Sequence, residues 1–242
     1  IIIYPVAGHW IWGPGGWLAE RGFVDFAGST VVHGVGAWVA LAGAWILGAR
    51  LGRFNEDGSV NDIQGHSPLM TTIGVFILWF GWFGFNGGST LVADESIAVV
   101  LLNTTLSAAA GGAATLLLPL FFWGRAHIEE VLNGILGGLV GITAGCAVVE
   151  PQGAVLIGAA AGLIVSGGSW FLLHVMRVDD PINAIPVHGF AGLFGTLALA
   201  LVAPVEALPA GSHLAQFGVQ LLGVGAVLVW GLATGSILFF VL

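Results

Sequence analysis

Long apolar stretches alternate with short polar ones along the whole chain. Seven of these stretches have the roughly twenty residues that an α-helix needs to cross about 30 Å of hydrocarbon. They run roughly over residues 26–48, 68–86, 96–123, 131–149, 153–176, 182–203 and 214–240. The segments between them hold charged residues, proline or asparagine–glycine pairs, which are typical of loops. The pattern therefore predicts an all-α membrane protein, a polytopic bundle of transmembrane helices.

Composition excludes a soluble fold. Of the 242 residues, 57% are hydrophobic and 7% are charged, and the net charge is −8 with no lysine. Because this small number of charges cannot cover a water-facing surface, the exposed surface must face lipid. The sequence has no basic patch that would bind nucleic acid. Its single cysteine, Cys146, excludes an internal disulfide and a cysteine-based metal cluster, and we expect it to be a packing residue.

The arginines predict an orientation, and the glycines predict close packing. If the first span enters the cytoplasm, four of the five arginines fall in cytoplasmic loops and only Arg21 lies outside. Those four are Arg50, Arg53, Arg125 and Arg177. The chain contains 40 glycines, and pairs four positions apart, such as Gly134 and Gly138, allow helix backbones to approach closely.

One spacing occurs twice. Asp25 precedes His33 by eight positions, Asp180 precedes His188 by eight, and a glycine follows each histidine. The first pair lies in the first span and the second in the sixth, so the two helices are expected to run in opposite directions, as in an inverted repeat. If each aspartate marks its own membrane face, eight helical residues place each histidine about 12 Å inside. In about 30 Å of hydrocarbon the two rings are then expected to meet near the midplane.

A pair of buried imidazoles suits a small weak base. Two neutral rings can bond to each other through Nδ1 and leave their outer nitrogens for a permeant molecule. An ionisable residue at this depth is by default a functional hypothesis, although each ring can instead bond to a neighbouring helix. A metal ion would need more ligands than the sequence supplies there. Axial ligation of haem is a third interpretation, and direct contact between the rings would leave no room for iron.

Aromatic residues gather before the first span and at the end of the second. They are Trp10, Trp12 and Trp17, followed by Trp79, Trp82, Phe83 and Phe85. Such rings are typical of an interfacial belt or of helix packing, and a subset can attract a cation through the ring face. Ser89, which follows Asn86-Gly-Gly, can accept a hydrogen bond from such a cation.

Several runs of sequence resemble the ammonium transporter (Amt/Mep) family. The runs are Asp25-Phe-Ala-Gly-Ser-Thr-Val-Val-His33, Leu78-Trp-Phe-Gly-Trp-Phe-Gly-Phe-Asn-Gly-Gly-Ser89, Asn103-Thr-Thr, Gly138-Leu-Val-Gly-Ile-Thr-Ala-Gly-Cys-Ala147, and Arg177-Val-Asp-Asp-Pro181 through Val187-His-Gly189. The resemblance covers the whole chain in order and corresponds to the C-terminal seven of that family's eleven spans. Residues 1–242 are therefore expected to be part of an ammonium transporter membrane domain whose N-terminal spans and cytoplasmic tail lie outside this sequence.

The resemblance implies a function and a setting. It implies transport of ammonium or ammonia across the cell membrane, without enzymatic chemistry and without a cofactor. It also implies a homotrimer in the lipid bilayer with one pore per subunit. Relatives receive regulatory proteins of nitrogen signalling on the cytoplasmic side, where the polar loop 55–62 is expected to lie. Other relatives are receptors, in which this domain is fused to a cytoplasmic signalling module. Sensing of ammonium is thus the alternative to transport.

The resemblance also implies the residues of the site. Trp12 resembles the tryptophan that stacks on ammonium at an outer recruitment site, and Ser89 resembles its hydrogen-bonding partner. Phe85 resembles the inner of two gating phenylalanines, and Asp25 the buried acid near the recruitment site. The remaining two positions, His33 and His188, match the paired histidines of the pore.

Two further polar residues are expected to be structural. Asp180 holds the mirrored place of Asp25 and is expected to cap the helix that starts beside Pro181. Thr143 is expected only to pack between helices.

Overall fold

The computed structural model describes all 242 residues as a bundle of α-helices joined by loops. The helices are α1 (Ile3–Trp12), α2 (Val35–Leu47), α3 (Pro68–Gly88), α4 (Ser96–Trp123), α5 (Ile128–Thr143), α6 (Pro151–Trp170), α7 (Ala191–Val202) and α8 (His213–Val241). Three π-helical turns extend this set, over Ser29–Gly34 before α2, Phe171–Val175 after α6 and Ile185–Phe190 before α7. The prediction of an all-α membrane protein is confirmed.

Six of the seven predicted spans are helices long and apolar enough to cross a membrane. They cover Ser29–Leu47, Pro68–Gly88, Ser96–Trp123, Pro151–Val175, Ile185–Val202 and His213–Val241. Each begins and ends within a few residues of its predicted limits. Many of their large apolar side chains are exposed, as those of lipid-facing helices are.

The remaining span was predicted too long, over residues 131–149. Helix α5 has 16 residues and ends at Thr143, because the backbone beyond it bonds to groups outside the helix. Ser29 Oγ accepts from the Ala144 N–H at 2.6 Å. The Asn103 side-chain amide donates to the carbonyl oxygens of Cys146 and Val149, both at 2.9 Å. These bonds replace part of the helical hydrogen-bond pattern, so the chain forms turns there.

Glycine allows α4, α5 and α6 to touch along their backbones. A Cβ atom added at Gly138 of α5, or at Gly158 of α6, would overlap the carbonyl oxygen of Ser107 in α4. Gly111 of α4 faces the carbonyl oxygen of Gly134 in the same way. The spacing of the small residues correctly predicted this close approach.

Charged residues connect two loops at one end of the bundle. Asp179 is buried and accepts hydrogen bonds from Nε of Arg50 at 2.7 Å and from its Nη2 at 2.8 Å. Arg53 Nε lies 3.3 Å from the same carboxylate. Arg177 lies over the ring of Phe54, 4.0 Å from its centroid. Three of the four arginines that were predicted to share a membrane face therefore lie together.

The ion pair gives a prediction for stability. Hydrogen bonding from Arg50 lowers the pKa of the Asp179 carboxyl. A depressed carboxyl pKa contributes stability above the pKa of the unfolded chain, about 4, and this contribution is lost as the pH falls through the folded-state value. We expect Asp179→Asn to cost about 2 kcal/mol at neutral pH, the size of a hydrogen bond to a charged group, and to reduce the loss of stability in acid.

Thermal unfolding in detergent across neutral and acidic pH measures both effects. Glu56→Gln is the control, because Glu56 is an exposed carboxylate in the adjacent loop. Identical pH profiles for Asp179→Asn and the unmodified protein would contradict the assignment.

Candidate functional site

The two histidines of the repeated spacing are in contact. Nδ1 of His33 lies 3.2 Å from Nδ1 of His188, across 155 positions of sequence. Their ring centroids are 5.1 Å apart and their planes differ by 18°. One neutral ring can donate to the other through this contact. Nε2 of His33 is buried and has no hydrogen-bond partner in the protein, so its capacity to form a hydrogen bond is unused.

Asp25 fixes the turn that carries the first histidine. One carboxylate oxygen accepts from the Gly28 N–H at 3.1 Å, and the other accepts from the N–H groups of Thr30 and Val31 at 2.9 and 2.8 Å. These are donors that the start of a helix leaves unpaired, and a carboxylate is a favourable partner for them. Asp25 therefore anchors the π-helical turn that presents His33.

Asp180 has the corresponding place in the second half of the repeat. Its Oδ2 accepts from the Ile185 N–H at 2.6 Å, at the start of the π-helical turn that holds His188. The expected capping role is confirmed, but the helical backbone begins at Ile185 and not beside Pro181 as predicted. Each half of the repeat therefore consists of an aspartate, a π-helical turn with a histidine, and an α-helix. Such turns are often found at functional sites.

Aromatic rings surround His33. The ring of Trp82 is stacked on it, with centroids 5.1 Å apart and planes 15° apart. Phe85 is tilted by 34° at 5.5 Å. Trp82 is 6% exposed and belongs to the core, which agrees with helix packing, one of the two roles that the sequence favoured. The structure thus places Phe85 beside the histidines, and it adds Trp82 to the site.

Two apolar cavities border the histidine pair. One has a volume of about 540 Å³ and lies against both histidines, Trp82 and Phe85. The other, of about 240 Å³, lies against both histidines and the first turns of α2, including Ala37. Neither is lined by a charged side chain. Because an uncompensated charge is costly in such surroundings, they favour a small neutral molecule.

The remaining predicted site residues lie apart from the histidine contact. Trp12 is 45% exposed, and its indole N–H donates to the backbone oxygen of Asp25 at 2.7 Å. The Ser89 hydroxyl donates to the backbone oxygen of Phe85 at 2.8 Å, which leaves its own lone pairs free to accept. The structure therefore links Trp12 to Asp25 and Ser89 to Phe85. No hydrogen bond joins Trp12 to Ser89.

Thr143 does more than the packing expected of it. It is fully buried, and its hydroxyl oxygen accepts the indole N–H of Trp82 at 2.9 Å. The same hydroxyl donates to the carbonyl oxygen of Leu139 at 2.6 Å. Trp82 and Thr143 lie 61 positions apart, and no local pattern of sequence indicates a bond between them.

A buried glutamine supports the segment before Asp25. Gln220 of α8 is fully buried. Its side-chain oxygen accepts from the Val24 N–H at 2.9 Å, and its amide donates to the Val24 oxygen at 2.6 Å. The Gln220 side chain thus satisfies both backbone groups of Val24, as a neighbouring strand would do for an extended segment. The sequence predicted no role for this residue.

The fold and the site define a class of protein. The chain is an all-helical bundle with apolar spans, in which mirrored histidine turns meet beside two small apolar cavities, and this architecture suits a membrane transport protein. The family model described as Ammonium Transporter Family matches residues 1–242. The chain belongs to this family and is a multi-pass membrane protein.

Similar proteins agree with this assignment. The chain is 42% identical to "Ammonium transporter Amt2" of Archaeoglobus fulgidus, a match that covers 100% of this chain and 56% of that protein. It is 35% identical to "Ammonium transporter 3" of Dictyostelium discoideum, over 99% of this chain and 59% of that protein. The chain thus spans somewhat more than half the length of these relatives.

Solved structures have the same fold. A structure named "Sensor Amt Protein" superposes with a TM-score of 0.96 at 42% identity, and the match covers 99% of this chain and 61% of that one. The crystal structure of Candida albicans Mep2 superposes with a TM-score of 0.88 at 31% identity, over 98% of this chain and 54% of that one.

Proposed function

We propose that the chain contributes the histidine-lined part of a pore that carries ammonium across the membrane. In this proposal NH4+ is recruited outside, and NH3, the proton or both pass to the cytoplasm. One observation supports it above the others: His33 and His188 contact each other through Nδ1, between two apolar cavities, while Nε2 of His33 is buried without a partner. The names of the relatives agree with this substrate.

Recruitment is assigned to Trp12 and Ser89. The indole N–H of Trp12 is already bonded, but half-exposed ring surface remains that can attract a cation. The Ser89 oxygen retains lone pairs that can accept from NH4+. Phe85 connects this region to the pair, because its backbone oxygen holds Ser89 and its ring contacts His33.

Selectivity follows from the cost of a charge in the apolar cavities. NH4+ can give up or share a proton near Asp25 and the histidines, and the neutral amine can then bond to an imidazole nitrogen. K⁺ has no proton to lose and carries its full charge into the cavity, at a cost of several kcal/mol. The pair thus separates two cations of similar size by their chemistry.

We further propose that the protein acts as a homotrimer with one pore per subunit, and that its cytoplasmic loops contact a regulatory protein. Loop 55–62 suits such a contact, because it is polar and largely exposed. Arg177 supports the loop through Phe54 and through a hydrogen bond of 2.7 Å to the oxygen of Gly58. Light scattering of the purified protein measures the number of subunits.

Currents in liposomes that contain the full-length protein test the proposed transport. We expect a saturable ammonium current and a far smaller one with K⁺ at the same concentration. Ammonium sensing is the second candidate, favoured by the similarity to the structure named "Sensor Amt Protein". Saturable binding of ammonium without flux of charge or ammonia would contradict transport and support sensing.

Trp12→Leu tests recruitment separately. Loss of a ring face that attracts the cation should raise the half-saturation concentration for ammonium about threefold to tenfold, as expected for a cation–π contact of about 1 kcal/mol. The variant also removes the indole bond to the backbone oxygen of Asp25. The NH4+/K⁺ selectivity should nevertheless stay nearly the same, because the Asp25 carboxylate keeps its three bonds to the turn that presents His33. Trp45→Leu is the control, since Trp45 is an exposed ring near the other end of the first span. An unaltered half-saturation concentration in Trp12→Leu would contradict the assignment.

A further inference from the structure

We propose that Thr143 is a positioning residue for the pore. Its hydroxyl accepts the hydrogen bond of the Trp82 indole, and the Trp82 ring stacks on His33. The orientation of the His33 ring in turn determines its contact with His188. The expected effect on selectivity rests on the transport function proposed above. The positioning of the His33 ring by Thr143 and Trp82 does not depend on that function. The inference follows from four hydrogen bonds around Thr143 and from two ring contacts.

The direction of the Thr143 bond is fixed by its chemistry. A threonine hydroxyl has one proton, and here this proton is directed to the Leu139 oxygen at 2.6 Å. The hydroxyl oxygen must therefore be the acceptor for Trp82, whose indole nitrogen can only donate. The bond of 2.9 Å is the one hydrogen bond that this buried indole makes. Without it a buried donor would be unpaired, which is unfavourable enough to displace the ring.

The ring contacts carry this constraint to the histidines. The imidazole plane has broad torsional freedom about its last bond, so a single Nδ1 contact does not fix it. The Trp82 ring lies within 15° of the His33 plane, and the His188 ring lies within 18° of it. With an indole stacked on it, His33 cannot rotate without losing this contact. Trp82 therefore selects the orientation in which the two Nδ1 atoms face each other.

The backbone around Thr143 connects the same point to the start of the first span. Its carbonyl oxygen accepts from the Ala27 N–H at 3.1 Å. The next N–H, of Ala144, donates to the Ser29 hydroxyl at 2.6 Å. The end of α5 thus fixes Trp82 through a side chain, and it fixes the turn that bears His33 through the backbone. Trp82 and His33, the two residues of the stacked pair, are therefore both positioned by the end of α5.

Two substitutions separate positioning from packing. Thr143→Val keeps the shape of the side chain and removes the acceptor, whereas Thr143→Ser keeps the acceptor. Thr115→Val is the matched control, because Thr115 is buried in α4 and bonds to the carbonyl oxygen four residues earlier at 3.0 Å, as Thr143 does in α5. Thr115 makes no bond to a tryptophan.

The first measurement does not require transport. Stacking on an indole shifts the NMR signals of an imidazole, so histidine-labelled full-length protein reports the position of Trp82 directly. The His33 signals are assigned by their loss in His33→Ala. We expect Thr143→Val to move them toward the values of Trp82→Leu, while Thr143→Ser and Thr115→Val leave them in place. The second measurement is the NH4+/K⁺ permeability ratio, which we expect to fall about fivefold in Thr143→Val only, the factor of one ordinary hydrogen bond.

The outcomes distinguish this inference from the proposed function. If the His33 signals in Thr143→Val match those of the unmodified protein, the positioning role is wrong, whatever the currents show. If they move while the unmodified protein carries no ammonium, the positioning role stands and the transport proposal fails. Equal shifts in Thr143→Val and Thr143→Ser would also overturn the inference, because the acceptor would then have no effect.

Discussion

Replacing both histidines, as His33→Ala with His188→Ala, is expected to lower the NH4+/K⁺ permeability ratio at least about tenfold. The change removes every imidazole nitrogen that borders the two apolar cavities. A relay that takes the proton from ammonium then has no acceptor, so discrimination depends only on the size and charge of the ion. A tenfold loss corresponds to about 1.4 kcal/mol, which is less than the cost of one unpaired polar group at this depth. Currents in liposomes with each cation in turn measure the ratio.

The double variant is expected to fold. Removing both rings eliminates their mutual hydrogen bond without leaving a buried partner unsatisfied, which is much less costly than removing one of them. The single variants leave one ring without its partner, so their effects should not add up to that of the pair. His174→Ala is the control, because this exposed histidine is stacked on Trp170 away from the pair. Unchanged discrimination in the double variant would rule out the relay.

The sequence predicted the spans well because lipid restricts what can cross it. An uninterrupted apolar run of about twenty residues has few alternatives to a helix, so its limits are visible in one dimension. The repeated aspartate–histidine spacing likewise indicated contact between His33 and His188 by simple addition of helical rises. That addition assumed α-helical geometry, whereas the structure has π-helical turns there. The contact formed nevertheless, since both halves of the repeat have the same irregularity.

Features that depend on distant partners were not predictable. Helix α5 ends early because Ser29 and Asn103, far away in the sequence, bond to the backbone that follows it. The bond between Trp82 and Thr143 joins two residues that each resemble ordinary packing residues in their own helix. A single sequence contains no pattern that relates such positions, so the supports of the site became visible only in three dimensions.

Gly195→Ala is expected to be among the most destabilising single-methyl additions to this protein. A Cβ atom at Gly195 in α7 would overlap the carbonyl oxygen of Gly141 in α5 and would also press on the Cα atom of Gly141. Both obstacles are backbone atoms, so no side chain can rotate to make room. The helices must separate, at a cost of about 3 kcal/mol, the upper end of the usual range for an overpacked core.

The site would be affected together with the fold. Helix α7 continues from the π-helical turn that holds His188, so a displacement of α7 also moves this ring relative to His33. We therefore expect Gly195→Ala to lower the melting temperature and, in the protein that remains folded, to reduce the NH4+/K⁺ permeability ratio. Thermal unfolding in detergent and liposome currents measure the two effects.

Gly218→Ala in α8 is the matched control. A Cβ atom there meets nothing within 4 Å. Alanine is favoured over glycine inside a helix by about 1 kcal/mol, so this variant should be neutral or slightly more stable. Both variants add one methyl group to a helical glycine. They differ because only Gly195 packs against the backbone of another helix. If Gly195→Ala proved as stable as Gly218→Ala, α5 and α7 would not be in backbone contact, and that contact could not hold the second histidine in place.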